Sequence, residues 1–336
     1  MSEIRFASGF SGIGGFDLGL QRVGFKRVWS CDIDKHANQI YTNHFGEENH
    51  VTSDIRRVNP ETIPRHDLFC AGFPCQAFSV AGKRKGFKDT RGTLFFEVCR
   101  IAEHHRPSML LLENVKGLLS HDGGRTFGVI LESLEELGYW WEYQILNSKH
   151  FGVPQNRERV FIIGHLRDRG TQAIFPITKN DRLSQTKTEN CGKVVNFAQT
   201  LRARDYENWN GNFVYAPKHA GALTGGGHSG GLHSDMTVIY NGPENANIKE
   251  RIKRTSIFPT LDTQGSHWDL IESENIRRLI PVECERLQGF PDGWTIGISD
   301  TQRYKCLGNA VTVNVIEYLG ELIQSSFSKS LRIEEK

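Results

Sequence analysis

The chain has 336 residues, with 41 Lys+Arg against 39 Asp+Glu and a formal net charge of +2. Its 38% hydrophobic and 24% charged residues are those of a globular chain that buries its own core, which excludes disordered, collagen-like and disulfide-stapled classes. No apolar run approaches the roughly 18–20 residues of a membrane span, and MSEIRFASGF lacks a signal-peptide layout. A cytoplasmic protein with no membrane partner is expected. The length suggests two domains, or one large domain carrying an insertion.

Ile4–Phe10 reads as a buried strand, followed by a glycine turn and a helix over Gly15–Val23 that Gly24 closes. Then come Phe25–Cys31 (strand), Lys35–Phe45 (helix), a short strand before Asp54, His66–Ala71 (strand), Leu94–His104 (helix) and Ser108–Val115 (strand). Arg125–Leu137 reads as a helix stopped at Gly138, and Trp140–Leu146 and Val160–Leu166 as strands. Continuous apolar strands alternating with helices predict an α/β fold with a doubly wound, mostly parallel sheet. After Phe175 the texture changes. Residues 178–270 are polar and glycine-rich, without helical periodicity, and predict a small, mainly β module. Helix returns at Pro281–Leu287 and Val311–Ser325. The expected division is 1–177 with 300–336 against 178–299.

The segment Phe10-Ser-Gly12-Ile13-Gly14-Gly15-Phe16 lies between a strand and a helix, where glycines let the backbone approach a ligand at a helix N-terminus. The dinucleotide fingerprint would need glycine at position 17, which is Asp17, so a nicotinamide-dinucleotide reading is weakened. Asp32 and Asp34 end the second strand where a ribose-binding acid would stand, and Asp54 follows the next one. A plain strand–helix turn with surface acids accounts for these residues equally well.

The seven cysteines are Cys31, Cys70, Cys75, Cys99, Cys191, Cys284 and Cys306. Their odd number and spacing fit neither a disulfide framework nor zinc pairs. The thirteen histidines show no metal-ligand spacing either, so no metal is expected. Cys75, in Ala71-Gly72-Phe73-Pro74-Cys75-Gln76, falls beyond the carboxyl end of a strand, where open α/β sheets place their chemistry. Cys31, Cys70 and Cys99 sit in apolar segments and read as core residues. Glu113 ends the apolar run Leu110-Leu111-Leu112, where burial would keep a carboxyl protonated. Arg157 and Arg159 alternate before another buried strand, which puts both on one face, able to hold carboxylates, phosphates or a base edge.

In order and spacing, FSGIGG, the Asp32 region, Asp54-Ile55, GFPCQAFSVAGKRKGFKDTRGTLFFE, ENVKGLLSHDGG, QNRERVFIIG, RLIPVECERLQGFPDGW and CLGNAVTVNVI resemble the C5-cytosine-specific DNA methyltransferases, in particular the small bacterial HhaI-type methylases. The likeness covers roughly 1–170 and 275–320. It implies a Rossmann-like S-adenosylmethionine-dependent methyltransferase sheet with a smaller, mainly β target-recognition domain.

The resemblance assigns cofactor binding to Phe10, Gly12, Ile13, Gly14, Gly15, Asp32, Ile33, Asp54, Ile55, Pro74, Leu94, Asn309, Ala310 and Val311, with S-adenosylhomocysteine as product. Phe10 would stack on adenine, Asp32 hold the ribose hydroxyls, and Asn309-Ala310-Val311 complete the pocket. Two departures stand out: Ser8 where many members carry Asp, and Asp32 where Glu is commoner. Cys75 would attack cytosine C6, Glu113 would engage N3, Arg159 the cytosine O2, and Arg157 would order the site. Gln76, Ser79, Lys83, Arg84, Lys85, Lys88 and Arg91 would meet DNA, the last five in the basic stretch 82–93 that otherwise reads as a solvated charge run. The middle region, with Arg202, Arg204 and Gly225-Gly226-Gly227, would read the sequence of double-stranded DNA. A monomer acting on duplex DNA is expected, solitary or beside a cognate restriction endonuclease, in a bacterial cytoplasm. A transfer-RNA cytosine-5 methyltransferase and a non-catalytic DNA-binding homologue are the alternatives.

Overall fold

The apolar runs of the first half line up as neighbouring strands. The protein is described by a computed structural model that covers residues 3–74, 94–177, 198–199, 213–215, 237–238 and 277–334. Seven strands make the main sheet: β1 (Arg5–Gly9), β2 (Lys26–Asp32), β3 (His50–Thr52), β4 (Leu68–Gly72), β5 (Met109–Val115), β6 (Tyr139–Asn147) and β8 (Glu158–Leu166). Their order is β3-β2-β1-β4-β5-β8-β6. β1 with β2, β1 with β4, β2 with β3 and β4 with β5 are parallel, whereas β5 and β8 run antiparallel from Met109 opposite His165 to Val115 opposite Arg159.

Between the strands run α1 (Gly15–Arg22), α2 (Lys35–Phe45), α3 (Leu94–His105) and α4 (Arg125–Glu136). The sheet centre is apolar on both faces, as a parallel sheet under helices requires: Phe6, Leu68, Phe69, Met109, Leu110, Leu111 and Leu112 are all fully buried. The strand order reverses between β1 and β4. The described residues that follow these two strands are the FSGIGG loop and Phe73-Pro74, which therefore leave the sheet at its topological switch point, the usual ligand crevice of such folds.

By packing, the chain forms two compact units: 1–146, 158–178 and 315–336 in the first, 147–157 and 179–314 in the second. The return to the first unit comes at 315, not 300. Residues 300–314 are tied to the preceding segment instead: the Tyr304 hydroxyl donates to the Leu279 carbonyl (2.6 Å) and the Val313 amide to the Gln288 carbonyl (2.9 Å). Residues 147–157 join the second unit through β7 (Gln155–Asn156), which pairs in parallel with β9 (Ala198–Gln199). Three more short strands, β10 (Phe213–Tyr215), β11 (Thr237–Val238) and β12 (Arg277–Arg278), pair antiparallel about β10. They are followed by α5 (Pro281–Leu287) and α6 (Asp300–Asn309). Helix α6 has weak apolar periodicity and was not expected. It is held in part by the buried Glu285 carboxylate, which accepts from the Gly293 amide (2.6 Å), the Thr295 amide (2.9 Å) and the Arg303 guanidinium (3.1 Å).

The last helix, α7 (Val313–Glu334), packs in the first unit from Val315 on. Arg22 at the end of α1 pairs with Glu317 (3.0 Å), and Gln324 donates to the Val23 carbonyl (3.0 Å). Among the described residues no helix is long and apolar enough to cross a membrane.

One buried histidine gives the first unit a pH-dependent stability. His66, 3% exposed ahead of β4, contacts the Pro64 carbonyl through Nδ1 and lies 4.7 Å from the His105 ring. Burial pushes its imidazole down to about 4, with His105 and Arg5 adding repulsion. The unfolded chain takes up this proton near pH 6.5 and the folded chain does not, so this stability is complete above pH 6.5 and lost as pH falls toward 4. The expected loss by pH 5 is ~2 kcal/mol. Thermal unfolding at pH 7 and pH 5 should show the drop in the native chain and a shallower one in His66→Gln. Equal slopes would assign the effect elsewhere.

Candidate active site

The first half of the site is the turn from β1 into α1. Phe10, Gly12 and Gly14 all have positive φ (56°, 54° and 86°). A Cβ at Gly12 would meet nothing within 4 Å, so the loop is open on that side. At Gly14 the opposite holds, since a Cβ would come 2.2 Å from the Phe45 ring of α2. Gly14→Ala therefore combines left-handed strain with a clash and should cost ~2–4 kcal/mol of stability. In a Phe45→Ala background the added cost of Gly14→Ala should shrink toward the backbone share. An unchanged cost by denaturant titration would mean the ring is not the obstacle.

Asp32 closes the loop from the neighbouring strand. Its carboxylate accepts from the Gly12 amide (2.8 Å, Oδ2) and from the Asp34 amide (2.8 Å, Oδ1). Burial raises its pKa, opposed by those backbone donors. Asp34 serves a different purpose as the N-cap of α2, accepting from the His36 and Ala37 amides. Ile33 between them is 66% exposed, an uncovered apolar side chain at the carboxyl end of β2. Ile55 is buried in the core and Phe10 packs against its margin. Asp54 pairs with Arg56, whose guanidinium holds the carboxyl below its usual range.

Behind the loop lies a carboxyl the motif reading left unexplained. Asp17, in the first turn of α1, is fully buried and accepts from the Tyr41 hydroxyl (2.5 Å). Burial pushes it up to about 6, against the Tyr41 bond, the charge of Arg27 and the nearby hydroxyl of Ser8.

The second half of the site is where β4 and β5 end side by side, with Gly72 opposite Glu113. A Cβ on Gly72 would lie 3.5 Å from Glu113 Oε2, so the carboxylate flanks the strand that leads to Pro74. Glu113 Oε1 pairs with Arg159 Nε at 3.0 Å, both side chains being at most 15% exposed. A guanidinium thus stands directly beside the Glu113 carboxyl at the strand end. Asn114, missed in the sequence, is buried and donates from Nδ2 to the Phe73 carbonyl (2.8 Å), which fixes the Phe73-Pro74 turn. The signal available was a polar amide directly after an apolar strand.

The two arginines have different partners. The ladder breaks at Arg157, between β7 and β8, and the alternation of a continuous strand does not apply. Arg159 meets Glu113, as above. Arg157 is 2% exposed, and its Nη2 donates to the Gly308 and Ala310 carbonyls (3.1 and 2.8 Å). These carbonyls flank Asn309, which is exposed at the end of α6, while Ala310 and Val311 are buried. Gln288 supports the same turn by donating to the Leu307 carbonyl (2.7 Å).

Cys75, Gln76, Ser79, Lys83, Arg84, Lys85, Lys88 and Arg91 lie outside the described residues, as do Arg202, Arg204 and Gly225-Gly226-Gly227; Leu94 opens α3. Cys31, Cys70 and Cys99 are buried, and burial pushes the Cys31 thiol up to about 12 and the other two well above their ordinary value. They are core residues, as their apolar settings implied. Among the described residues no group of three or more His, Cys, Asp or Glu side chains could hold a metal ion.

The pattern of the C-5 cytosine-specific DNA methylase family matches residues 4–325. The chain belongs to this family. The type II methyltransferase M.DsaV of Dactylococcopsis salina is 38% identical over 325 residues, 96% of this chain and 86% of that protein. M.HhaI of Haemophilus parahaemolyticus is 35% identical over 339 residues, 98% of this chain and 96% of the relative. In fold, the methylase is similar to the S. pombe Dnmt2 methyltransferase, with a TM-score of 0.60 at 19% identity, covering 96% of this chain and 99% of that one.

Proposed function

We propose that this methylase transfers a methyl group from S-adenosylmethionine to C5 of a cytosine flipped out of duplex DNA, within a short specific sequence. The observation that carries the reading is the Glu113–Arg159 pair beside Gly72, at the end of the strand that runs into Pro74 and Cys75. A carboxyl and a guanidinium there suit the N3 and O2 edge of a cytosine, with a thiol three residues beyond Gly72 as nucleophile.

The glycine loop suits the cofactor. The space over Gly12 is open, the Asp32 carboxylate is buried beside it, and Ile33 leaves apolar surface uncovered on the same strand end. Phe10, Gly12 to Gly15, Asp32, Ile33 and Asp54 would hold it, with Pro74, Leu94 and Asn309 to Val311 as further contacts; Ile55, already packed in the core, would contribute support from below. When bound, S-adenosylmethionine supplies the electrophilic methyl group.

The chain's own residues supply the activation. The Cys75 thiolate adds to C6, which moves electron density to C5. Glu113 hydrogen-bonds N3 and Arg159 holds O2 as negative charge builds on the ring. Arg159 is thus shared, resting on Glu113 and turning to the base when one enters. After methylation a base takes the C5 proton and Cys75 departs by elimination. Flipping costs a few kcal/mol of stacking and pairing. Lys83, Arg84, Lys85, Lys88 and Arg91 would repay part of it through phosphate contacts, which are salt-sensitive. Residues 178–299 would read the sequence, and a cognate restriction endonuclease would cut the same site.

Methyl transfer from labelled S-adenosylmethionine to duplex DNA and to transfer RNA, with mapping of the modified cytosines, tests the reading. Labelled DNA is expected. Label in transfer RNA alone would replace the substrate assignment, and label in neither would favour a DNA-binding homologue without catalysis.

A further inference from the structure

Beneath the glycine loop, the first unit carries a polar network that the proposed chemistry does not use. Its first branch is a relay in which every donor is determined by its neighbours. Arg27 Nη1 donates to Ser30 Oγ (3.3 Å), and Ser30 Oγ lies 2.8 Å from His50 Nδ1. His50 Nε2 lies 2.7 Å from Asn38 Oδ1, and Asn38 Nδ2 donates to the Asp32 carbonyl (3.1 Å). Because Asn38 Oδ1 can only accept, His50 carries its proton on Nε2, and Nδ1 is left to accept from Ser30. Burial pushes the His50 imidazole down to about 4, which keeps it in this neutral form at neutral pH.

The second branch starts from Asp17. Its carboxyl accepts from the Tyr41 hydroxyl, and the Tyr41 ring stacks on His50 with centroids 4.2 Å apart and planes at 17°. Arg27 lies 5.7 Å over the other partner of that stack, the Tyr41 ring. The two branches meet at His50. Together they join α1, α2, β2 and β3, and both ends return to the cofactor loop: one through the helix that opens at Gly15, the other through Asp32, whose carboxylate accepts from Gly12.

We propose that Asp17, Tyr41, His50 and Asn38 act together as positioning residues that hold the glycine loop and Asp32 in the geometry that takes up S-adenosylmethionine. The inference rests on the cofactor reading given above. Its physical basis is that the N-terminal end of α1 and the end of β2 must keep a fixed separation for backbone amides and a carboxylate to meet one ligand. The Asp17–Tyr41 bond ties α1 to α2. The Asn38 amide ties α2 to the strand end. An Asp at position 17, where the dinucleotide fingerprint has glycine, thereby acquires a purpose.

The test is equilibrium binding of S-adenosylmethionine and of S-adenosylhomocysteine to the full chain by calorimetry, with thermal unfolding measured on the same samples. Tyr41→Phe removes one hydroxyl and keeps the ring stack; Asp17→Asn keeps the shape and removes the charge; Asn38→Ala cuts the relay. Each is expected to weaken both ligands roughly 5- to 20-fold, as loss of one buried hydrogen bond to a charged or fixed partner does. The double variant Asp17→Asn/Tyr41→Phe should lose less than the sum of the two single losses, since both changes act on the same Tyr41–Asp17 hydrogen bond. KM for the methyl donor should rise with kcat within about twofold.

Tyr139→Phe is the control. It removes a buried hydroxyl that donates to the Pro107 carbonyl (2.8 Å), away from the network, and should lower Tm while leaving the ligand Kd in place. Unchanged Kd in Tyr41→Phe and Asn38→Ala would overturn the proposal, as would equal weakening in Tyr139→Phe or additive losses in the double variant. Absence of S-adenosylmethionine binding in the native chain would instead overturn the cofactor reading itself, a result these variants do not produce.

Discussion

Cys75→Ser is expected to lower methyl transfer by at least ~10³-fold while leaving binding of S-adenosylmethionine and duplex DNA intact. The physical reason is the nucleophile. A thiol ionises near pH 8.5 and its anion is intrinsically reactive toward a polarised carbon, whereas a serine hydroxyl at the same place stays neutral without a base to activate it. Loss of a covalent nucleophile commonly removes several orders of magnitude of rate and leaves only what positioning and binding supply. Of the five described cysteines all are buried, and Cys31, Cys70 and Cys99 have raised pKa values, unsuited to thiolate chemistry. The matching chemical test is duplex DNA in which the target is 5-fluorocytosine. Fluorine cannot leave C5 as a proton does, so the adduct should persist and a peptide containing Cys75 should carry the added mass. A Cys75→Ser variant with full turnover would rule out covalent attack.

Arg157→Ala should be among the most destabilising single changes in the second unit, by ~2–4 kcal/mol. Its Nη2 is the donor to both the Gly308 and the Ala310 carbonyl at the end of α6, and the residue is 2% exposed. Removing the guanidinium leaves buried carbonyl oxygens without that donor and opens a cavity beside them. Arg157→Lys keeps the charge but not the planar fork, and should recover only part of the loss. Thermal unfolding of the three proteins decides it. An unchanged Tm in Arg157→Ala would return Arg157 to the substrate-facing role that simple alternation with Arg159 implies. Arg159→Ala offers a contrast, since its partner Glu113 stands at the edge of the crevice: a larger effect on turnover than on Tm is expected there.

Much of the fold was legible because burial writes itself into composition. Met109 to Leu112 are apolar in sequence and fully buried in the sheet, and the helix expected over Lys35–Phe45 has those bounds, with Asp34 as its N-cap and Gly46 as its C-cap. Helix α6 was not legible. Its residues are mostly polar, and its support comes from groups distant in sequence, such as Leu279 for Tyr304 and Glu285 for Arg303. The separate partners of Arg157 and Arg159 were not legible for a related reason: alternation describes a continuous strand, and this one is interrupted between Asn156 and Glu158.

By itself, the sequence determined the family, the order of the motifs and the chemical types at each step, because apolar periodicity, glycine at turns and a thiol after a strand are local properties. Length had offered only the expectation of two domains, or of one large domain carrying an insertion, and the net charge of +2 had decided nothing. Partnership was decided by the tertiary structure. Glu113 met the Arg159 guanidinium, Asn114 reached back to Phe73, and Asp17 found Tyr41. Each of these contacts joins residues 24 or more positions apart, and a hydrogen bond is a matter of ångströms that only the folded chain supplies.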